Sequence, residues 1–405
     1  MVWDHIMDYA DKCRLVHGRR WARYFLCSIG AHIANHMNKG GFRAPFYTMF
    51  GGVPDIRLHL FLIAPPGYGK TTFLSWFLEE RFGLLYRAID CLREGKITEK
   101  GLIGGYDDRG SKIVGEAEQH KVGILGFDEF SHITAAAGQD HSSDLLNTML
   151  DLLDSGRCRY RMGAHAPIEF VTHFTLWAGT QSERFDLEAG LARRLVFLDM
   201  TPDKETVRLY VEAQRLGLGV SPDIEGIDEI RKGILFLNDN FHAQRLIFSD
   251  EYLAFRDKVN DHLEMSLLDK FAIGYNTIRR YKYEPELYIS MDQDLKEIFI
   301  ESINMRMHCL NGVGMGLVLK LLKGGALSMT QLKNALVRRL SIDYKRTEKL
   351  LSDLLARNRI KITPVTTPGS KKPTQMVEAC VDEELQQSFM ALDTPSLQPA
   401  FSLSD

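Results

Sequence analysis

A chain of 405 residues, 45% hydrophobic and 25% charged, has the apolar material for two or three soluble domains with substantial cores. Fifty basic against fifty-three acidic residues leave a formal net charge of −3, so no global positive field advertises a nucleic-acid partner and any such contact must come from a local patch. The composition thereby argues against a basic architectural protein, a disordered polyelectrolyte and a membrane span.

Cys13, Cys27, Cys91, Cys158, Cys309 and Cys380 contain no CxxC pair, which suits a reducing compartment and argues against a structural zinc site. No apolar run approaches the ~20 residues that cross a bilayer. Asp4, His5 and Asp8 do not make a signal peptide. The expected location is the cytoplasm, with association to the nucleoid in a prokaryote or entry to the nucleus in a eukaryote.

From residue 2 to 37, apolar residues including Trp21, Tyr24, Phe25, Ile29 and Ile33 recur at helical intervals, predicting two helices closed by Gly40-Gly41. Arg14, Arg19, Arg20 and Arg23 read as a solvated helix face in preference to a DNA contact. Next, Leu60-Phe61-Leu62-Ile63 passes through Ala64-Pro65-Pro66-Gly67-Tyr68-Gly69-Lys70-Thr71 into an amphipathic stretch that ends before Gly83. That is strand, loop, helix. A nucleoside triphosphate needs backbone N–H groups at close range, a helix N-terminus and a cation. Gly67 and Gly69 let the loop curl, Lys70 is placed for the outer phosphates, and the Thr71 hydroxyl is placed for Mg2+. Pro66, Tyr68 and Thr72 complete the stretch expected to wrap ATP.

Residues 84–92 read as a second strand and the glycine-rich 101–115 as an exposed excursion. Residues 122–129 form an apolar strand ending in Asp128 and Glu129. Ligands of a parallel α/β sheet sit at the carboxyl ends of its strands, so both carboxylates should arrive beside Lys70. Asp128 would hold Mg2+ through its water shell, and Glu129 would orient and deprotonate the attacking water. An amphipathic helix over 142–153 stops at Gly156. Residues 157–165 alternate around a glycine and predict a hairpin with a cationic face made by Arg157, Arg159, Arg161 and His165, able to grip phosphates. A plain solvated hairpin is the alternative reading. Residues 170–178 read as a further core strand ending at Gly179-Thr180, where Thr180 could hold the attacking water or sense the γ-phosphate. Arg193 and Arg194 precede a fifth strand, 195–199, and could serve as an arginine finger.

This order of parts resembles the AAA+ ATPases, and within them the ATPase domain of the MCM (minichromosome maintenance) replicative helicases. The matching pieces are Phe50-Gly51-Gly52-Val53, ILGFDEF at 124–130, Ala178-Gly179-Thr180 where the family has alanine-glycine-asparagine, and the arginine-finger strand at 191–197. The resemblance covers 50–200 and lacks the family's N-terminal oligonucleotide-binding and zinc modules, since residues 1–50 alone precede it. The phosphate loop carries Lys70-Thr71 where that family usually has lysine-serine. The resemblance implies a homo-oligomer, a hexameric ring, with Arg194 completing a neighbour's site. It also implies a hairpin that contacts DNA through Arg161 or a neighbour, and a lid arginine that reads the γ-phosphate, for which Arg306 is favoured over Arg279 and Arg280.

Residues 202–312 are rich in helix formers, with Leu253, Phe255, Val259, Leu263 and Leu267 at helical intervals, and suit a helical lid. Residues 313–382 read as a winged helix: helices at 316–322, another capped by Ser328 or Thr330, and a third at 343–357, then strands at 360–363 and 375–379 around a loop with Lys371 and Lys372. Those two lysines, with Lys345, Arg346 and Lys349, could meet phosphates, although winged helices also bind proteins. Residues 383–405 lack periodicity and read as a disordered tail. The expected architecture is thus an α/β P-loop AAA+ core at 51–201, behind an N-terminal helical segment at 1–50, with lid, winged helix and tail following. Three functions fit it: an ATP-driven motor on DNA, an ATP-switched replication initiator or loader, and a chaperone ATPase of the MoxR or chelatase type acting on protein.

Overall fold

The computed structural model describes residues 2–36, 55–130, 133, 143–161, 166–181, 193–215, 224–240, 245–259, 261–280, 286–310, 318, 321–322, 325–340, 344–356, 359–365 and 373–380. The chain divides into two compact units, 1–305 and 306–405.

The first unit opens with helices α1 (Val2–Lys12) and α2 (Gly18–His36), as the apolar spacing predicts. Among their arginines, Arg19 pairs with Asp8 and Asp11, and Arg20 and Arg23 pair with Glu301, so intrachain carboxylates engage three of the four. Strand β1 (His59–Ile63), buried at every position, leads through the glycine loop to α3 (Lys70–Leu78).

The second strand is not 84–92. Leu84 and Leu85 are fully buried because they fold back on α3, their N–H groups donating to the carbonyls of Trp76 and Phe77. Strand β2 is Cys91–Lys96. The expected excursion at 101–115 is also ordered otherwise. Helix α4 (Glu99–Ile103), capped by Thr98, turns at Gly104 (φ 101°) into an antiparallel ribbon of β3 (Gly104–Tyr106) and β4 (Lys112–Val114).

After the short α5 (Glu116–Gln119) come β5 (Ile124–Glu129) and α6 (Ser143–Asp154). The predicted core strand at 170–178 is two strands. Strand β7 (Ile168–Val171) pairs antiparallel with β6 (Arg157–Tyr160), and β8 (Thr175–Thr180) enters the core. The break falls after Thr172, whose N–H still bonds across the hairpin to the Gly156 carbonyl, where the His173 N–H turns away to the carbonyl of Lys121. Strand β9 (Leu195–Asp199) completes a five-stranded parallel sheet of order β2-β5-β8-β1-β9. Near-continuous apolar runs in its inner strands are what a sheet buried on both faces requires. Helix α3 packs on β5 so closely that a Cβ on Gly126 would stand 2.2 Å from Leu78. Phe25 of α2 stacks on Phe73 and Phe77 of α3 and meets Trp177 of β8 edge-on.

Beyond β9 lie α7 (Lys204–Arg215), α8 (Ile224–Asn240), β10 (Arg245–Phe248), α9 (Asp250–Arg256), α10 (His262–Ile278), β11 (Glu286–Ile289) and α11 (Gln293–Leu310). The stripe read through Leu253, Phe255, Val259, Leu263 and Leu267 does not belong to one helix. Asp261 accepts the N–H groups of Leu263 and Glu264 and starts α10 afresh, which leaves Leu253 and Leu263 exposed and buries Leu268, Phe271, Ala272 and Tyr275. Helices α2 and α10 cross backbone to backbone at Gly30 and Gly274.

In the second unit, β12 (Leu327–Ser328), α12 (Met329–Leu340), α13 (Tyr344–Ala356), β13 (Ile360–Val365) and β14 (Thr374–Ala379) form a helical layer and an antiparallel sheet of order β12-β14-β13. Leu332, Leu336, Leu351, Leu354, Ile360 and Val377 lie in one apolar core. Ser328 and Gln331 cap α12 reciprocally: the Ser328 hydroxyl accepts the Gln331 N–H and the Gln331 side chain accepts the Ser328 N–H. The motif at 50–53, most of 316–322, the loop at 366–372 and the tail at 383–405 lie outside the described residues.

Candidate nucleotide site

Strand β8 lies between β5 and β1, so the loop after Ile63, the carboxylates ending β5 and the end of β8 meet at the carboxyl ends of the parallel strands. Gly67 (φ 87°) and Gly69 (φ 88°) both take the left-handed conformation that the curl demands. Lys70 is buried, and its ammonium donates to the carbonyls of Ala64 at 2.6 Å and Thr180 at 2.8 Å. Burial chiefly lowers its pKa, against the opposing pull of Glu129 and Asp128, which identifies both carboxylates as its electrostatic neighbours. Pro66, Thr71 and Thr72 are exposed around the loop, leaving the Thr71 hydroxyl accessible.

Asp128 spends one oxygen on Arg93 at 2.7 Å, while the other, Oδ1, is buried with no hydrogen-bond partner among the described residues. A buried carboxylate oxygen without a donor is costly, and a cation or its water shell would satisfy it. The Thr71 hydroxyl and Asp128 therefore fit a Mg2+ ion, and the glycine curl with Lys70 fits the phosphates of ATP. Glu129, the next residue, is 9% exposed. Thr180 contributes its carbonyl to Lys70, while its hydroxyl turns to the carbonyl of Gln181 at 3.4 Å.

Other expected residues lie elsewhere. Arg193 is exposed and Arg194 half-buried, the latter paired with Asp154 at the end of α6. Both precede β9, whose first residue stands opposite His59, whereas the phosphate loop follows Ile63 at the far end of the same register. On the β6–β7 hairpin Arg157 and Arg159 are exposed on one side with Cys158 buried between them. Arg159 pairs with Glu169 at 3.0 Å, and Arg161 is exposed just beyond the strand. The hairpin leans on its neighbours through Tyr106, which donates to the carbonyl of Ala166, and Tyr160, which donates to Glu99. Arg279 pairs with Asp292 and lies over the ring of Tyr275, Arg280 donates to the carbonyl of Glu286, and Arg306 is a half-buried residue of the second unit. His165, Lys371 and Lys372 lie outside the described residues, as do the side chains of Lys345, Arg346 and Lys349.

Arg93 and Tyr210 near the site, and Arg57 at the opposite end of β1, escaped the sequence reading. Arg93 links Asp128 to Glu79, and with the strand placed at 84–92 it fell just past the strand's end. Tyr210 of α7 packs its hydroxyl against Gly69, 2.6 Å from where a Cβ would stand, and meets Tyr68 edge-on. Fully buried Arg57 pairs with Asp55 and donates to the carbonyls of Phe174, Leu152 and Asp154, closing the carboxyl end of α6. A charged residue inside an apolar lead-in to a strand was the available signal for Arg57. No local signal marks Tyr210.

No curated protein matches the chain. Residues 60–195 match the family model described as ATPase family associated with various cellular activities (AAA), so the parallel-sheet segment that carries the phosphate loop, Asp128-Glu129 and the tandem arginines reads as a generic AAA+ ATPase domain.

Proposed function

We propose that the chain is an ATP-hydrolysing AAA+ motor of the MCM-like kind that acts on DNA as an oligomer, a hexameric ring by resemblance, with each nucleotide site shared by two copies. The position of Arg194 carries this reading. Arg194 precedes the residue opposite His59, while the phosphate loop begins after Ile63. Four strand steps of ~3.3 Å put roughly 13 Å of sheet between the two. An arginine at that remove, paired with Asp154, does not serve the Lys70 site of its own chain. That remove supports a role toward another copy.

Within one site, Lys70 would neutralise phosphate oxygens and the loop N–H groups would cradle them. Glu129 would take the proton of the attacking water, with the carbonyl-anchored Lys70 fixing the distance between loop and acids. Thr71 and Asp128 would hold Mg2+, which when bound neutralises developing charge on the phosphate oxygens. Arg194, with Arg193 beside it, would bring a delocalised cation from the neighbour. Exposed Arg157, Arg159 and Arg161 support contact with a DNA backbone, and the helix-and-wing order of the second unit supports a second DNA contact near Lys371 and Lys372.

ATP turnover measured with and without single-stranded DNA tests the reading. Stimulation by DNA is expected, and mixing Arg194→Ala chains with Lys70→Ala chains should restore turnover that neither has alone. No rescue on mixing would refute the shared site. Stimulation by unfolded protein and not by DNA would move the function to a MoxR or chelatase-type ATPase.

A further inference from the structure

Arg93 forks between two carboxylates, one guanidinium nitrogen on Glu79 at 2.7 Å and the other on Asp128 Oδ2 at 2.7 Å. Strand register sets Arg93 opposite Gly126, so with the alternation of a strand it shares the α3-facing side with Asp128. Glu79 closes the far end of α3, the helix that starts at Lys70. The remaining Asp128 oxygen, Oδ1, is buried with no hydrogen-bond partner among the described residues. One carboxylate is therefore offered to two cations: a guanidinium already in place and a metal at Oδ1. Like charges roughly 6 Å apart repel even in a water-like medium, so the two cannot both use Asp128 at full strength. Glu79 relieves the conflict, because Arg93 can surrender Asp128 and still keep a partner.

We infer that Arg93 is a positioning residue that holds Asp128 in the metal-free site, competes with Mg2+ for it, and transfers its charge to Glu79 when the metal enters. This rests on the nucleotide-site reading above. It makes the Mg2+ requirement of nucleotide binding adjustable from the edge strand of the sheet.

The test is the Mg2+ dependence of binding of a fluorescent non-hydrolysable ATP analogue to the full chain. Arg93→Met should lower the half-saturating Mg2+ concentration at least ~3-fold, by removing the competing cation. Glu79→Gln should raise it about twofold or more, because the guanidinium is thrown onto Asp128 alone. Arg93→Lys should return it toward the wild-type value. A purely structural ion pair would change stability without moving metal dependence in opposite directions, so unchanged dependence, or a shift of the same sign in both variants, would overturn the inference. If Arg93→Met does not fold, Glu79→Gln decides, since its side chain is 47% exposed. Failure of the wild-type chain to bind the analogue at any Mg2+ concentration would overturn the nucleotide-site reading itself; binding with metal dependence untouched by the variants would overturn this inference alone.

Discussion

Replacing Gly30 by alanine isolates the contact that fixes α2 and α10 to one another. A Cβ at Gly30 would stand 2.0 Å from the carbonyl oxygen of Gly274, 2.8 Å from its carbonyl carbon and 3.1 Å from the nitrogen of Ile278. All three are backbone atoms of α10, so no rotamer change can make room. Non-bonded heavy atoms rest at ~3.5 Å, so the helices would have to part by about 1.5 Å. Overpacking of this kind costs ~1–3 kcal/mol and occasionally more. Opposing it, alanine is better than glycine inside a helix by ~1 kcal/mol. Backbone collision should win, with a net loss of up to about 2 kcal/mol, or a fall in Tm of up to roughly 3 °C for a unit that runs from residue 1 to 305. Gly233→Ala is the control: among the described residues its Cβ would meet the Val2 side chain, Cγ2 at 2.6 Å, and no backbone atom. Differential scanning calorimetry should show Gly30→Ala melting a few degrees below wild type and Gly233→Ala at or above it. A Gly30→Ala chain as stable as wild type, or more so, would refute the backbone crossing. Because α2 also packs on α3 and Trp177, the same variant should weaken nucleotide binding.

Four further outcomes are expected. Glu129→Gln should bind ATP yet turn it over ~10²-fold more slowly or worse, as loss of a general base requires, and unchanged steady-state turnover would remove Glu129 from that role. Arg161→Ala should reduce DNA stimulation of turnover while leaving the DNA-free rate intact; equal stimulation in both chains would exclude the hairpin. Arg57→Met leaves Asp55 buried without its cation and uncaps α6, which should cost about 3–5 kcal/mol in urea unfolding, and a loss below ~1 kcal/mol would show that the pair is not integral. His59 accepts the Leu176 N–H and donates to the carbonyl of Leu153, a neutral ring whose pKa burial holds below its ordinary value. Below about pH 6.5 the unfolded chain takes up a proton that the folded chain resists, so stability is full above that pH and falls as pH drops through it. Thermal melts of His59→Gln should show a shallower fall between about pH 6.5 and 5.5 than wild type, and parallel curves would refute the assignment.

Much of the local geometry of the candidate nucleotide site was legible along the chain because its determinants are local. Gly67 and Gly69 take positive φ within the loop that needs them, Lys70 follows at the first turn of a helix, and Asp128-Glu129 end an apolar run. The Ser328–Gln331 cap was equally local. Misreadings came where burial and strand character parted company: Leu84 and Leu85 are apolar because they fold on α3, and Phe170 belongs to a hairpin that leaves the core before β8 begins.

The order of residues by itself determined that a phosphate-binding curl is followed by a helix, and that two acids end a buried strand, since backbone conformation and side-chain periodicity act over a few residues. Only the tertiary structure decided that Arg93 shares Asp128 with Glu79, that Arg57 closes a helix 97 residues away, that Gly30 lies on Gly274, and that Arg194 stands at the amino ends of the strands while Lys70 follows a carboxyl end. Each of these depends on strand order and register or on helix crossing. Those are set by through-space packing of distant segments, and neighbouring residues carry no record of them.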